Sequence, residues 1–293
     1  MTDPTDTERA WAHRHWQSAD GLKLHYRDYP GDANKAPVLC LHGLTRNARD
    51  FAELAERIAP SRRVIVPEMR GRGRSDYAKD SSTYNPVQYA ADVELLLAEQ
   101  GIEQFVAIGT SLGGLMTMLL AATRPGRIVG AVLNDIGPVI DEDGLEAIRG
   151  YVGQGRSFQT WMHAARALKD VHGSAHPTFG IEDWLAMAKR VMVLGQGGRI
   201  VFDYDMAIAE PFSAAPSNAA PPDMWLAFEA LATAPVVLVR GAQSNILSPA
   251  TAMQMQARNK QLVLVTVADT GHAPLLSEPD VLVAIDRLLG HVP

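Results

Sequence analysis

Ser111 stands in "GTSLG", Gly109 to Gly113, between the apolar run "EQFVAIGT" and the helical pattern "LMTMLLAATRPG". Flanking glycines allow a sharp strand-to-helix turn, and a serine at its apex is lifted above the sheet edge, beside the free N–H groups of the helix's first turn. A serine hydroxyl attacks carbonyl carbon only when a base takes its proton, so a histidine distant in sequence and near in space is required. Of nine histidines, His272 in "VADTGHAPLLSEP" is the candidate, because its loop follows an apolar run and precedes a last helix. His13, His15, His25, His163, His172, His176 and His291 read as surface or loop residues. His42 in "LHGLTRN" opens a loop placed to supply an oxyanion donor. The backbone N–H groups of Leu44 and Leu112 are assigned to that hole, and His42 to positioning rather than acid–base work.

These groups need a frame. "LKLHYRDY" alternates as a half-exposed strand, whereas "APVLCLHG", "RRVIVPE" and "EQFVAIGT" are continuous apolar runs suited to burial on both faces. "NARDFAELAERI" and "NPVQYAADVELLLAEQG" carry apolar residues at helical spacing between them. Strand and helix in alternation imply an α/β class, with a mostly parallel sheet and helices on both faces. The alternation continues through "IVGAVLND" and then stops. Residues 138–222 read as a mostly helical insertion without a buried strand, ending in the loop "SAAPSNAAPP". "APVVLVRG", a helix from Pro249, "QLVLVTVAD" and a helix from Pro279 then restore the pattern. Residues 1–137 and 223–293 would form the core domain.

His42-Gly43, "EMRGRGRSD" from Glu68 to Asp76, the Ser111 turn and Gly271-His272 together resemble the α/β-hydrolase superfamily, over almost the whole chain. The resemblance implies an eight-stranded, mostly parallel sheet, a helical cap over its carboxyl edge, and Ser111 and His272 as nucleophile and base. Small bacterial esterases, lactonases and C–C bond hydrolases are the nearest in character. One departure is Arg72, where the corresponding loop often carries histidine.

A second departure concerns the acid. The family usually places an aspartate after the strand matching "VVLVRG", at a Ser-Asp step written here as Ser244-Asn245. An amide accepts a hydrogen bond from an imidazole but does not stabilise an imidazolium by charge, and in a serine protease the Asp-to-Asn change costs roughly four orders of magnitude in turnover. Asp135 in "VLNDIGP" is the alternative, at the end of the strand that this fold sets between the Ser111 and Arg240 strands; some superfamily members carry their acid there. It also reads as a loop-capping aspartate. Asn245, as a natural or introduced replacement of a carboxylate, and Asp135 both stand as candidates.

Composition narrows the partners. The chain has 293 residues, 47% of them apolar, enough for a large core, and a formal charge of −6 with no long cationic face, which argues against nucleic acid. No apolar run reaches the ~20 residues of a membrane span, and the polar N-terminus lacks a signal-peptide pattern, so a cytoplasmic protein is expected. Cys40, the single cysteine, reads as a buried hydrophobe. No metal or cofactor is implied, and monomer and homodimer are equally compatible with the sequence. The bulky Trp161, Met162, Trp184, Met187, Met192 and Phe212 of the insertion either line an apolar pocket or pack the cap onto the sheet. The leading expectation is an acyl-enzyme hydrolase for a small or medium hydrophobic ester or lactone. C–C hydrolysis, cofactor-free oxygenation or lyase chemistry on the same fold, and a non-enzymatic ligand-binding relative, are the alternatives.

Overall fold

The computed structural model describes residues 10–213 and 223–293. The loop expected over "SAAPSNAAPP" falls mostly outside them, as does the side chain of Phe212. One sheet of eight strands has the order β1 (Ala12–Gln17), β2 (Lys23–Tyr29), β4 (Val64–Pro67), β3 (Val38–Leu41), β5 (Phe105–Thr110), β6 (Ile128–Asn134), β10 (Val236–Gly241), β11 (Leu262–Val267). β1 and β2 run antiparallel to each other, β2 runs antiparallel to β4, and every other pairing is parallel.

The central parallel strands bury both faces, and alternate side chains feed two cores. Val38, Cys40, Val106, Ile108, Val237 and Val239 pack with α1 (Ala52–Ile58) and α10 (Pro279–His291). Leu39, Leu41, Ala107, Leu133 and Leu238 face the other core, with α2 (Pro86–Glu99), α3 (Leu112–Thr123) and α9 (Pro249–Arg258). Cys40 is wholly buried and burial pushes its thiol up, so it serves packing and not nucleophilic chemistry.

The chain between β6 and β10 is less uniform than its composition suggests. It holds α4 (Glu142–Tyr151), α5 (Trp161–His172), α6 (Ile181–Val191), α7 (Glu210–Ser213) and α8 (Met224–Glu229). It also holds a three-stranded antiparallel sheet, β7 (Ser157–Phe158), β8 (Met192–Leu194) and β9 (Ile200–Phe202), in the order β7-β9-β8. The reading of a mostly helical insertion did not include this small sheet, because strands this short lack the length for a periodic signal. Trp184, Met187 and Met192 join Ala164, Leu168 and Val191 in a separate small core, with Trp161 against it, while Met162 is exposed.

Candidate active site

Ser111 sits at the tip of β5 with φ 52° and ψ −114°, a left-handed backbone that a residue with a Cβ tolerates only under constraint, at a cost of ~1–3 kcal/mol. The constraint is close packing of the turn. A Cβ on Gly113 would collide with the Leu41 carbonyl oxygen, and one on Gly109 with the Gly113 carbonyl. The Ser111 N–H donates to Asn134 O at 2.9 Å, and the Asp135 N–H donates to Val239 O at 2.8 Å. Each tip is thus fastened to the neighbouring strand one step beyond the sheet.

Asp135 is completely buried, in a left-handed turn with φ 56°, a conformation that aspartate tolerates better than most residues. Its Oδ1 accepts from the Gly241 N–H at 2.9 Å. Its Oδ2 accepts from the Ser244 hydroxyl at 2.6 Å and lies 2.8 Å from His272 Nδ1. On the other side of the ring, His272 Nε2 is 2.9 Å from Ser111 Oγ. A carboxylate cannot donate, so Nδ1 carries the proton and Nε2 is left to accept from the Ser111 hydroxyl. The His272 loop is held from two sides: Asn134 Nδ2 donates to Pro274 O at 2.8 Å, and the Gly271 N–H donates to Ala175 O at 2.6 Å.

Asn245 is not in this chain of bonds. Its side chain is exposed and, among the described residues, has no hydrogen-bonding partner; the residue lines the cavity wall, with its carbonyl against Gly144. As a candidate acid it is corrected by geometry, since Asp135 from β6 already fills the space behind His272. Ser244 contributes instead, bonding Asp135 and accepting from the Ile246 and Leu247 N–H groups at 3.2 and 3.1 Å.

Leu44 lines the same cavity as Ser111, and Leu112 opens α3; among the described residues neither N–H has a protein acceptor. His42 explains how the first is aimed. It is buried, its Nε2 accepts from the Met69 N–H at 3.1 Å, and its Nδ1 donates to Gly43 O at 2.8 Å. In a trans peptide the N–H points opposite to the C=O, so pinning Gly43 O turns the Leu44 N–H the other way. Burial lowers the His42 pKa to about 4, so the ring is neutral and keeps this tautomer. Arg72 holds the next peptide, donating from Nε to Leu44 O at 2.9 Å while its Nη1 bonds Tyr89 Oη at 2.8 Å.

The cavity above Ser111 measures about 520 Å³, within the range of small-molecule sites. Gly43, Leu44 and Ser111 form its floor, and Tyr151, Leu168, Trp184, Met187 and Tyr204 come from the chain between β6 and β10. His172, at the end of α5, and His176, in the loop after it, read as surface or loop residues but line the cavity; burial first, then Arg46, lowers both to about 4. His25 is likewise buried, with Nδ1 2.9 Å from Glu68 Oε2. Sequence reading missed Arg46 and Asp50, which line the cavity from the loop after β3; their place in "LHGLTRNARD", three and seven residues beyond Gly43, was the available signal. Among the described residues no group of three or more His, Cys, Asp or Glu side chains could hold a metal ion.

A serine at a strained strand–helix turn on a mostly parallel eight-stranded sheet agrees with the family comparison: the chain belongs to the alpha/beta hydrolase fold family, whose model matches residues 36–279. It is 34% identical over 266 residues to the 3-hydroxybutyrate-oligomer hydrolase of Cupriavidus necator, covering 88% of this chain and 89% of that protein. It is 25% identical over 235 residues to the 2-(acetamidomethylene)succinate hydrolase of Mesorhizobium japonicum, covering 80% of this chain and 81% of that protein. Among solved structures, an alpha/beta hydrolase from Novosphingobium aromaticivorans superposes with a TM-score of 0.92 at 60% identity, covering 97% of this chain and 99% of that one. Both of these curated relatives, at 34% and 25% identity, are named as hydrolases. No helix among the described residues is long and apolar enough to cross a membrane.

Proposed function

We propose that this protein is a serine hydrolase that cleaves a small or medium carboxylic ester or lactone through an acyl-enzyme. The observation that carries the reading is the unbroken hydrogen-bonded chain from buried Asp135 through His272 to Ser111, opening into the cavity. Ser111 Oγ attacks the carbonyl carbon while its proton passes to His272 Nε2. The carbonyl oxygen takes up the electron pair and is held by the Leu44 and Leu112 N–H groups at the positive end of α3. Asp135 balances the imidazolium. Collapse of the tetrahedral species breaks the ester C–O bond, and His272 returns the proton to the leaving alkoxide. Water then repeats the sequence on the acyl-enzyme, with His272 as base, releasing the acid and restoring Ser111.

An ester or lactone substrate is favoured by the relative named for 3-hydroxybutyrate oligomers, which are esters of hydroxy acids. The residues between β6 and β10 serve in this reading as the roof that sets which acyl groups fit. Ser111→Ala is the test. It should abolish 4-nitrophenyl ester hydrolysis and fluorophosphonate labelling while leaving the thermal unfolding midpoint near that of the parent. Unchanged turnover would reject the assignment.

A further inference from the structure

The cavity is apolar over much of its wall, but its charges are not balanced. Arg46, Arg156 and Arg190 line it, and the carboxylate among the lining residues is Asp50. Arg190 is already committed to Glu53, with Nη2 2.5 Å from Oε1. Arg156 is exposed on the rim and, among the described residues, pairs with no carboxylate.

Arg46 lies deeper. From the position a Cβ on Gly43 would occupy, Arg46 Cγ is 3.3 Å away and Ser111 Cβ is 3.9 Å away, so the arginine stem and the serine flank one small gap. Its protein partners crowd onto one nitrogen: Nη1 reaches Asp50 Oδ1 at 3.3 Å and Met187 Sδ at 2.9 Å. Among the described residues Nε and Nη2 have no acceptor, and those two N–H groups form the edge of the guanidinium that matches both oxygens of a carboxylate. A single long contact to Asp50 and a thioether sulfur, a weak acceptor, leave most of that donor capacity unused. The field of Arg46 is felt across the cavity, since it disfavours protonation of both His172 and His176, whereas Asp50 contributes to neither.

We propose that Arg46 is a carboxylate-binding residue of the substrate cavity, selecting esters that carry a free carboxylate a few bonds from the scissile carbonyl, with Arg156 drawing them in from the rim. This rests on the acyl-transfer reading of Ser111. The substrate class is an acyloxy carboxylate, such as a short ester-linked hydroxy acid cleaved from its carboxyl end. Apolar wall residues take the acyl chain, while the Nε and Nη2 edge of Arg46 takes the carboxylate in a bidentate contact.

The test compares 3-(3-hydroxybutanoyloxy)butanoate with its methyl ester, which keeps shape and removes charge. The parent protein is expected to favour the free acid by about tenfold or more in kcat/KM, mostly through KM. Arg46→Gln should lower the acid-to-methyl-ester ratio roughly 10- to 100-fold, the range of a charge-assisted hydrogen bond, and Arg46→Lys should restore part of it. A parent that prefers the methyl ester, or a ratio that Arg46→Gln leaves unchanged, overturns the proposal. If Arg46→Gln does not fold, competitive inhibition of the parent decides: butanoate should bind at least tenfold tighter than butanamide, and equal inhibition overturns it. Fluorophosphonate labelling separates the two levels. Labelled Ser111 with no preference for the acid rejects the carboxylate subsite alone, whereas unlabelled Ser111 with neither ester cleaved rejects the acyl-transfer reading and the subsite with it.

Discussion

Exchanging the two candidate acids is the sharpest test of how His272 is supported. Asp135→Asn keeps the side-chain shape and an oxygen for the Gly241 N–H, but removes the charge behind the ring. With Asp135 Oδ2 2.8 Å from His272 Nδ1, the centres of the two charges lie about 4 Å apart once the ring is protonated, where an effective dielectric constant near 20 gives about 4 kcal/mol. At 1.36 kcal/mol per tenfold in rate, that is about a thousandfold in kcat. An amide that turns its NH2 toward Nδ1 also favours the wrong tautomer and extends the loss toward ten-thousandfold. KM should change little, because the missing interaction develops with charge in the transition state. Asn245→Asp adds a carboxylate on an exposed wall residue with no bond to His272 and should alter kcat less than about threefold. The assay is steady-state hydrolysis of 4-nitrophenyl butyrate, with thermal melts to confirm folding. Less than a tenfold loss in Asp135→Asn, or a gain of tens-fold in Asn245→Asp, would refute the reasoning.

Two further outcomes follow from burial. Cys40, enclosed and with its thiol pushed up, should not react with a disulfide reagent such as DTNB until denaturant is added; stoichiometric reaction of the folded protein would contradict its placement. His42 titrates near 4 when folded and near 6.5 when unfolded, so between those values the unfolded chain binds a proton that the folded one refuses. Stability from this residue therefore falls as pH drops, by about 2 kcal/mol at pH 5 relative to pH 7.5, and is flat above the unfolded value. His172 and His176, lowered in the same direction, add to the trend. Urea unfolding at the two pH values should show the lower midpoint at pH 5, with His42 still neutral by imidazole 15N shifts; a protonated His42 in folded protein at pH 5 would defeat it.

Legibility in the sequence tracked how local each feature is. Ser111 was readable because its turn chemistry is written in five consecutive residues, and the buried parallel strands because two-sided burial leaves continuous apolar runs such as Val236 to Val239. β1 was missed: "AHRHWQ" is an edge strand whose pattern is mostly polar, with Trp16 as its one buried residue. The choice between Asp135 and Asn245 was undecidable from spacing, since both follow strands that end at the same sheet edge and only the packing of the His272 loop shows which one lies behind the ring. Arg46 was marked only by its nearness to His42-Gly43, because an arginine in a polar loop gives no sign of which way its fork faces.

With the ring supported from β6, the loop after β10 is released from chemistry at residue 245 while still contributing to the wall. A side chain there can be enlarged, trimmed or charged without touching the proton path, provided Ser244 stays to hold Asp135. Under the proposed acyl transfer, position 245 is therefore a place where acyl-group preference would be adjusted with turnover little changed, and a first place to begin if the pocket is to be retuned for other acids.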